Sequence, residues 1–404
     1  MEPRPQLRRV LSLPLITFYG LGTILGAGIY VLVGKIAGIA GLYTPVAFVI
    51  AAVVAAFTGF SYAELSARHP LAGGEVVYVE EGLHVRALSI LVGLAIVAAG
   101  CVSAATITRG FVGYLNLFIT VPAAPVIAIT VLALGGIATW GMRESAWAAA
   151  AATGIELVGL LMVLGVAWPS LGALPERWTE FLPEPDVAVW TNVMLGAFLA
   201  FFAFIGFEDM VNVAEEVHDP VNNLPRAILI ALGLATALYM LVALVAVLSL
   251  PPAELAASSA PLALVYQRSG GAFPEILGVI SLFAVINGAL VQIIMAARIL
   301  YGMGVAQWIP RPFARVSRRT GTPVIATIAA ALLVLLLALA LPLVALAKIT
   351  SGVLLGVFAL VNLALIRIKK RQPAPAGARV YASWIPWAGL VTSVALLVFQ
   401  LAAA

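Results

Sequence analysis

Gly20-Leu21-Gly22-Thr23-Ile24-Leu25-Gly26-Ala27-Gly28-Ile29-Tyr30 lies in the middle of a run apolar enough to cross a bilayer. Phe201-Phe202-Ala203-Phe204-Ile205-Gly206-Phe207-Glu208 does the same about 180 residues later. Glycine interrupting a membrane helix frees backbone N–H and C=O groups at bilayer depth, which is tolerated only where that backbone faces protein or a polar cavity. Two such breaks, Gly26-Ala27-Gly28 and Gly206-Phe207, at matching places in two halves point to a substrate site at the membrane midplane. Taken alone, Gly-Ala-Gly also reads as a small-residue packing face; the second break favours the site.

The chain is 63% hydrophobic and only 10% charged, so its apolar surface requires lipid and a soluble domain is excluded. Apolar windows of bilayer length recur at about 13–35, 43–66, 86–118, 122–140, 145–168, 190–213, 226–250, 272–305, 323–341, 343–367 and 384–402. These windows predict an all-α polytopic membrane protein of about eleven transmembrane helices. The basic leader with Arg4, Arg8 and Arg9 has no small-residue cleavage site and reads as retained. A single cysteine, Cys101, rules out an intramolecular disulfide and reads as a small buried hydrophobe.

Lys and Arg set the orientation, because cytoplasmic loops carry them in excess. With the amino terminus inside, Arg68, Arg86, Arg143, Arg226, the Arg311–Arg319 cluster and the Arg367–Arg371 cluster share one side, leaving Lys35, Arg177 and Arg268 outside. The pI of about 9.3 is thus a topology signal and not a nucleic-acid footprint. Five spans per half is an odd number, so the halves take opposite orientations and form an inverted repeat. The expected division is a cytoplasmic segment 1–12, a first repeat 13–168 (spans one to five), and an extracellular loop 169–189. A second repeat 190–370 (spans six to ten), a cytoplasmic linker 371–383 and an eleventh span 384–404 follow.

These residues resemble the amino acid, polyamine and organocation transporters, which use the LeuT-like five-plus-five fold with broken helices 1 and 6. The resemblance rests on the two stretches quoted above and on Ala214-Glu215-Glu216-Val217-His218-Asp219-Pro220 with Leu224-Pro225-Arg226. Arg298-Ile299-Leu300-Tyr301-Gly302-Met303, Pro310 and Thr320-Gly321-Thr322-Pro323 complete it. It covers nearly the whole chain, which departs from the usual pattern in having eleven spans instead of twelve.

A zwitterionic amino acid needs donors for its carboxylate and acceptors for its ammonium where an unpaired charge is costly. The half-helix starting near Ala27 to Ile29 offers unbonded N–H groups and the positive end of its dipole, and Gly26 and Gly28 let a carboxylate approach. Carbonyls around Ile24 and around Phe202, Ala203 and Ile205 would accept from the ammonium. The resemblance implies the same roles, and adds Ala104 and Ile107 of the third span, Phe202 as aromatic lid and Ser351 of the tenth. These positions are small or apolar, which favours neutral amino acids over cationic ones or polyamines; Glu208 keeps the cationic alternative open.

Ionisable groups at membrane depth are functional suspects. Glu208 follows the second break, where similar transporters carry a proton-responsive glutamate; it also reads as a cap of the inner half-helix, with Asp209 the better capping partner. Glu156 in the fifth span stands where some relatives have a lysine, and could bind a proton or cation or pair with an arginine. Between Leu282 and Leu300 only Asn287 and Gln292 are uncharged and polar, so hard-cation ligands are thin and proton coupling is favoured over sodium. Arg109 lies about 200° round the helix from Ile107 and should face away from the pocket. Glu215 and Glu216 are expected in an inner gate, which Glu64 and Arg68 could join; His69, His84 and His218 are expected to be solvated loop residues.

The sequence thus predicts a permease of the cell membrane, amino terminus in the cytoplasm, moving α-amino acids by alternating access, with exchange or non-transporting sensing as alternatives. No HExxH or GxSxG pattern suggests an enzyme, and nothing calls for a cofactor or metal.

Overall fold

The computed structural model describes residues 9–71, 73–140, 146–373, 375 and 377–403; the expected basic positions Arg4, Arg8 and Arg143 lie outside them. Among the described residues nine stretches are long and apolar enough to cross a membrane. The first, Leu13–Arg68, holds two spans, and Val324–Ala340 is a shorter apolar helix. Every backbone polar group at bilayer depth must be satisfied within the chain, which leaves helices as the solution for such runs.

The first span is two helices, Leu13–Leu25 and Ala27–Ala40, parted at Gly26 with φ −35° and ψ −147°. The sixth is Val187–Phe204 followed by a 3₁₀ segment, Phe207–Glu216, parted at an extended Ile205 and at Gly206 with φ 129°. The half of the sixth span after the break is therefore a tighter coil than expected, and it runs past the expected end at 213. The remaining spans are Thr44–Arg68, Arg86–Leu115, Ala123–Trp140, Ala146–Ala167, Pro220–Ser249, Pro274–Val305, Val324–Ala340, Leu343–Arg371 and Trp384–Ala402. The seventh starts six residues before the expected 226, with Pro220 in its first turn, where the missing N–H costs nothing.

The half of the first span after its break and the half of the sixth before its break pack together; the second packs on the seventh, the third on the eighth and the fourth on the ninth. Each neighbour is the partner expected if the halves repeat one another. The first span packs further on the fifth and seventh spans, with lesser contacts to the third and eighth, and the sixth packs on the second and tenth. Two helical loops, Pro252–Ala257 and Pro261–Arg268, cover the half of the first span after its break, where Lys35 Nζ donates to Ala256 O.

At the opposite end, Glu64 closes the second span as the centre of a buried ion cluster. Its Oε1 accepts from Arg68 Nε and Nη2 at 3.0 and 2.8 Å, and its Oε2 from Lys369 Nζ at 2.7 Å and Tyr381 N at 2.9 Å. The second span, the tenth and the lead-in to the eleventh are thereby fastened at one carboxylate. The eleventh span also places Gly389 against Asn362, whose amide donates to Thr58 Oγ1 and accepts from Ser61 Oγ.

Candidate functional site

The two breaks are tied to each other. Thr23 Oγ1 lies 2.9 Å from both Gly20 O and Gly206 O, so a hydroxyl of the first span reaches the carbonyl at the second break, which also accepts from Asp209 N at 3.2 Å. Ile24 O, expected to be free, accepts from Tyr239 Oη of the seventh span at 2.6 Å and keeps one lone pair for a ligand. The helix Ala27–Ala40 starts beside them with N–H groups that have no intrahelical acceptor.

A cavity of about 40 Å³ lies between the breaks. Ile24, Gly26 and Gly28 of the first span, Ile107 of the third, and Phe202 and Ile205 of the sixth line it, all six being positions expected from the sequence. Ala104 and Ala203 are fully buried but do not line it. Ser103 takes the place of Ala104, and Ala203 sits behind Gly28. Ser351 is also buried away from the cavity, its Oγ without a partner, because that part of the tenth span packs on Phe198 and Leu397 through Gly352. Ala27 opens the half-helix beside it.

The polar side of the cavity was not foreseen as a lining: Tyr19 and Thr23 of the first span, Thr153 of the fifth, and Asn287 and Gln292 of the eighth. The signal was present for the last two, since isolated polar residues in an apolar membrane run face a cavity or another span. No lining residue carries a charge.

The carboxylates divide differently from expectation. Glu208 Oε2 accepts from Gly206 N at 2.8 Å and is the local cap of the break, whereas Asp209 Oδ2 accepts from Gln292 Nε2 of the eighth span at 3.0 Å. Glu156 is fully buried; its Oε1 receives one long contact of 3.5 Å from Asn287 Nδ2 and its Oε2 has no partner. Its backbone O accepts from Tyr30 Oη, which locks the fifth span to the first. Arg109 faces away from the cavity and donates to Ala338 O and Leu339 O at the end of the ninth span. The ion pairs described at the amino-terminal end of the bundle centre on Glu64, while Glu216 gives its backbone O to Val10 N and Leu11 N. Glu215 is half-buried beside it. His69, expected to be solvated, is half-buried with Nε2 unpartnered, and burial pushes its imidazole below the usual value.

Glu75, on the short helix Gly74–Leu83 between the second and third spans, was not singled out in the sequence. It is 1% exposed, accepts from Tyr62 Oη at 3.1 Å, and burial pushes its carboxyl from 4.5 up to about 8. A carboxyl whose pKa is raised on folding binds its proton more tightly folded than unfolded, so its contribution is complete below about 4.5 and is lost as pH rises through about 8. Stability is therefore expected to fall with pH across that window. Thermal unfolding of Glu75→Gln should show a shallower pH slope; an unchanged slope would assign the dependence to other groups.

The model of the family described as "Amino acid permease" matches residues 11–403. The branched-chain amino acid permease BcaP of Bacillus subtilis (strain 168) is 27% identical over 391 residues, covering 91% of this chain and 82% of its own length. Cationic amino acid transporter 2, vacuolar, of Arabidopsis thaliana is 30% identical over 403 residues, 92% of this chain and 62% of its own. The chain thus spans less than two thirds of that longer relative. The crystal structure of MhsT in complex with L-phenylalanine matches with a TM-score of 0.65 over 98% of this chain and 100% of that one; at 15% identity the likeness is one of fold. Broken first and sixth helices, the architecture shared with MhsT and a family match over nearly the full length together place this chain in the amino acid permease family of the amino acid, polyamine and organocation superfamily, with the LeuT-like fold.

Proposed function

We propose that this permease is a secondary active transporter of neutral α-amino acids, driven by protons, which works by alternating access in the cell membrane with its amino terminus in the cytoplasm. The observation that carries the substrate class is the lining of the central cavity: a half-helix start for the carboxylate, carbonyls for the ammonium, and no charged side chain. A cationic side chain would enter that space without a counter-ion, at a cost of several kcal/mol on the order expected for an unpaired buried charge. Relatives named for branched-chain and for cationic amino acids both occur, and the capping role of Glu208 leaves it little capacity to serve a cationic ligand.

The halves 13–168 and 190–370 would act as inverted repeats, the first, second, sixth and seventh spans rocking against the third, fourth, eighth and ninth. Phe202 closes over the substrate, and Glu215 and Glu216 belong to the inner gate. Glu156 is the foremost candidate for the coupling proton, because its carboxyl is buried beside the cavity residue Asn287 with one oxygen unpartnered; Glu208 is the second.

Uptake of labelled amino acids into proteoliposomes, with pH and sodium gradients imposed separately, tests this. Leucine-like substrates should accumulate under a pH gradient and lysine should not. Lysine uptake at the leucine rate, or drive by sodium alone, would overturn it, and binding without flux would make the protein a sensor. In Glu156→Gln the pH gradient is expected to lose its effect while substrate exchange persists; full proton drive in that variant would pass the role to Glu208.

A further inference from the structure

We propose that Asp209 and Gln292 form the inner door of the transport route: their side-chain hydrogen bond closes a layer between the central cavity and a second, larger cavity that serves as the release chamber. The proposal rests on the transporter reading above. The second cavity, about 590 Å³, lies on the amino-terminal side of the first and is lined by Glu75, Ile96, Asn212, Glu216, Met295 and Arg298 among others.

Three elements pass from one cavity to the other. On the eighth span Gln292 lines the central cavity and Met295, one turn further, lines the chamber. On the third, Ser103 faces the cavity and Ile96, two turns away, the chamber. On the sixth, Ile205 and Asn212 stand in the same relation. The level between them is filled by Asp209, Gln292 and Gly100. Asp209 Oδ2 accepts from Gln292 Nε2 at 3.0 Å, and a Cβ placed on Gly100 would lie 3.1 Å from Gln292 Oε1. Asp209 is only 5% exposed. The bond joins the sixth span, which rocks, to the eighth, which stays with the scaffold, so opening this side must break it. The chamber beyond offers apolar walls together with an acid (Glu216) and a base (Arg298), a surface along which a zwitterion with an apolar side chain can leave.

The test uses sealed vesicles with the amino-terminal face outward and a membrane-impermeant sulfonate thiol reagent, on the full chain carrying Cys101→Ala. Met295→Cys, in the chamber, should be labelled promptly, and Ser103→Cys, above the door, slowly. Adding Asp209→Ala or Gln292→Ala should speed labelling of Ser103→Cys several-fold, up to about tenfold, as expected for losing one hydrogen bond that holds a closed state. Asp209→Asn, which keeps an acceptor for the Gln292 amide, should leave it slow. The two alanine variants remove opposite halves of the door, so a folding defect in one does not remove the test. Labelling of Ser103→Cys that is indifferent to both overturns the proposal. Wild-type uptake is scored separately: normal uptake with indifferent labelling removes the door alone, whereas no uptake of any amino acid removes the transport reading.

Discussion

Replacing Gly206 with alanine is expected to abolish uptake and to lower the stability of the purified protein by roughly 2–6 kcal/mol. Two causes add. Gly206 has φ 129°, where a side chain strains the backbone, and its Cβ would lie 2.3 Å from Thr23 O and 2.5 Å from Thr23 C. Neither contact is with a flexible side-chain tip, so the breaks themselves must separate, and the Thr23–Gly206 hydrogen bond that joins them goes with the separation. Gly28→Ala should act in the same sense, since its Cβ would meet Ala203 Cα at 2.5 Å between the packed halves of the same two spans. Thermal unfolding in detergent alongside uptake checks both; a Gly206→Ala protein with wild-type melting and flux would show that the close approach of the two breaks is dispensable.

Glu64→Ala is expected to cost about 3–5 kcal/mol, because removing the shared partner of a buried ion cluster leaves uncompensated cations. The side chains of Glu64, Arg68 and Lys369 are 1%, 4% and 10% exposed, and Tyr381 N loses its acceptor as well. Pairing Glu64→Gln with Lys369→Met should recover part of the loss, since it removes one of the two orphaned cations and leaves Arg68 an amide oxygen as acceptor. Denaturant or thermal midpoints of the single and double variants decide this. A Glu64→Ala protein as stable as wild type would mean that water reaches the cluster and solvates it.

The breaks at Gly26 and Gly206 were legible because glycines recur at matching places in two apolar runs about 180 residues apart, where either alone reads equally as a packing face, and the spans followed from run length. The phase of each helix was not. The third span is apolar or small nearly all round, so sequence could not tell Ala104 from Ser103, a difference of one residue and about 100° of rotation. Ser351 was expected from the resemblance alone, and the tenth span turns it away from the cavity. Long-range polar partners were equally hidden: nothing local to Glu64 announces Lys369, 305 residues away, or Tyr381. That Glu208 and not Asp209 caps the break was also hidden, because the choice depends on the turn geometry at Gly206, which places Glu208 under the freed N–H and turns Asp209 towards the eighth span.

The chain entering the first span is stitched by backbone bonds to the chain leaving the sixth: Val10 N and Leu11 N donate to Glu216 O, and His218 N to Leu11 O. Two half-helices yoked in this way cannot tilt independently. A spin label or fluorophore placed beside Leu11 is therefore expected to follow any displacement of the sixth helix that the proposed transport cycle brings.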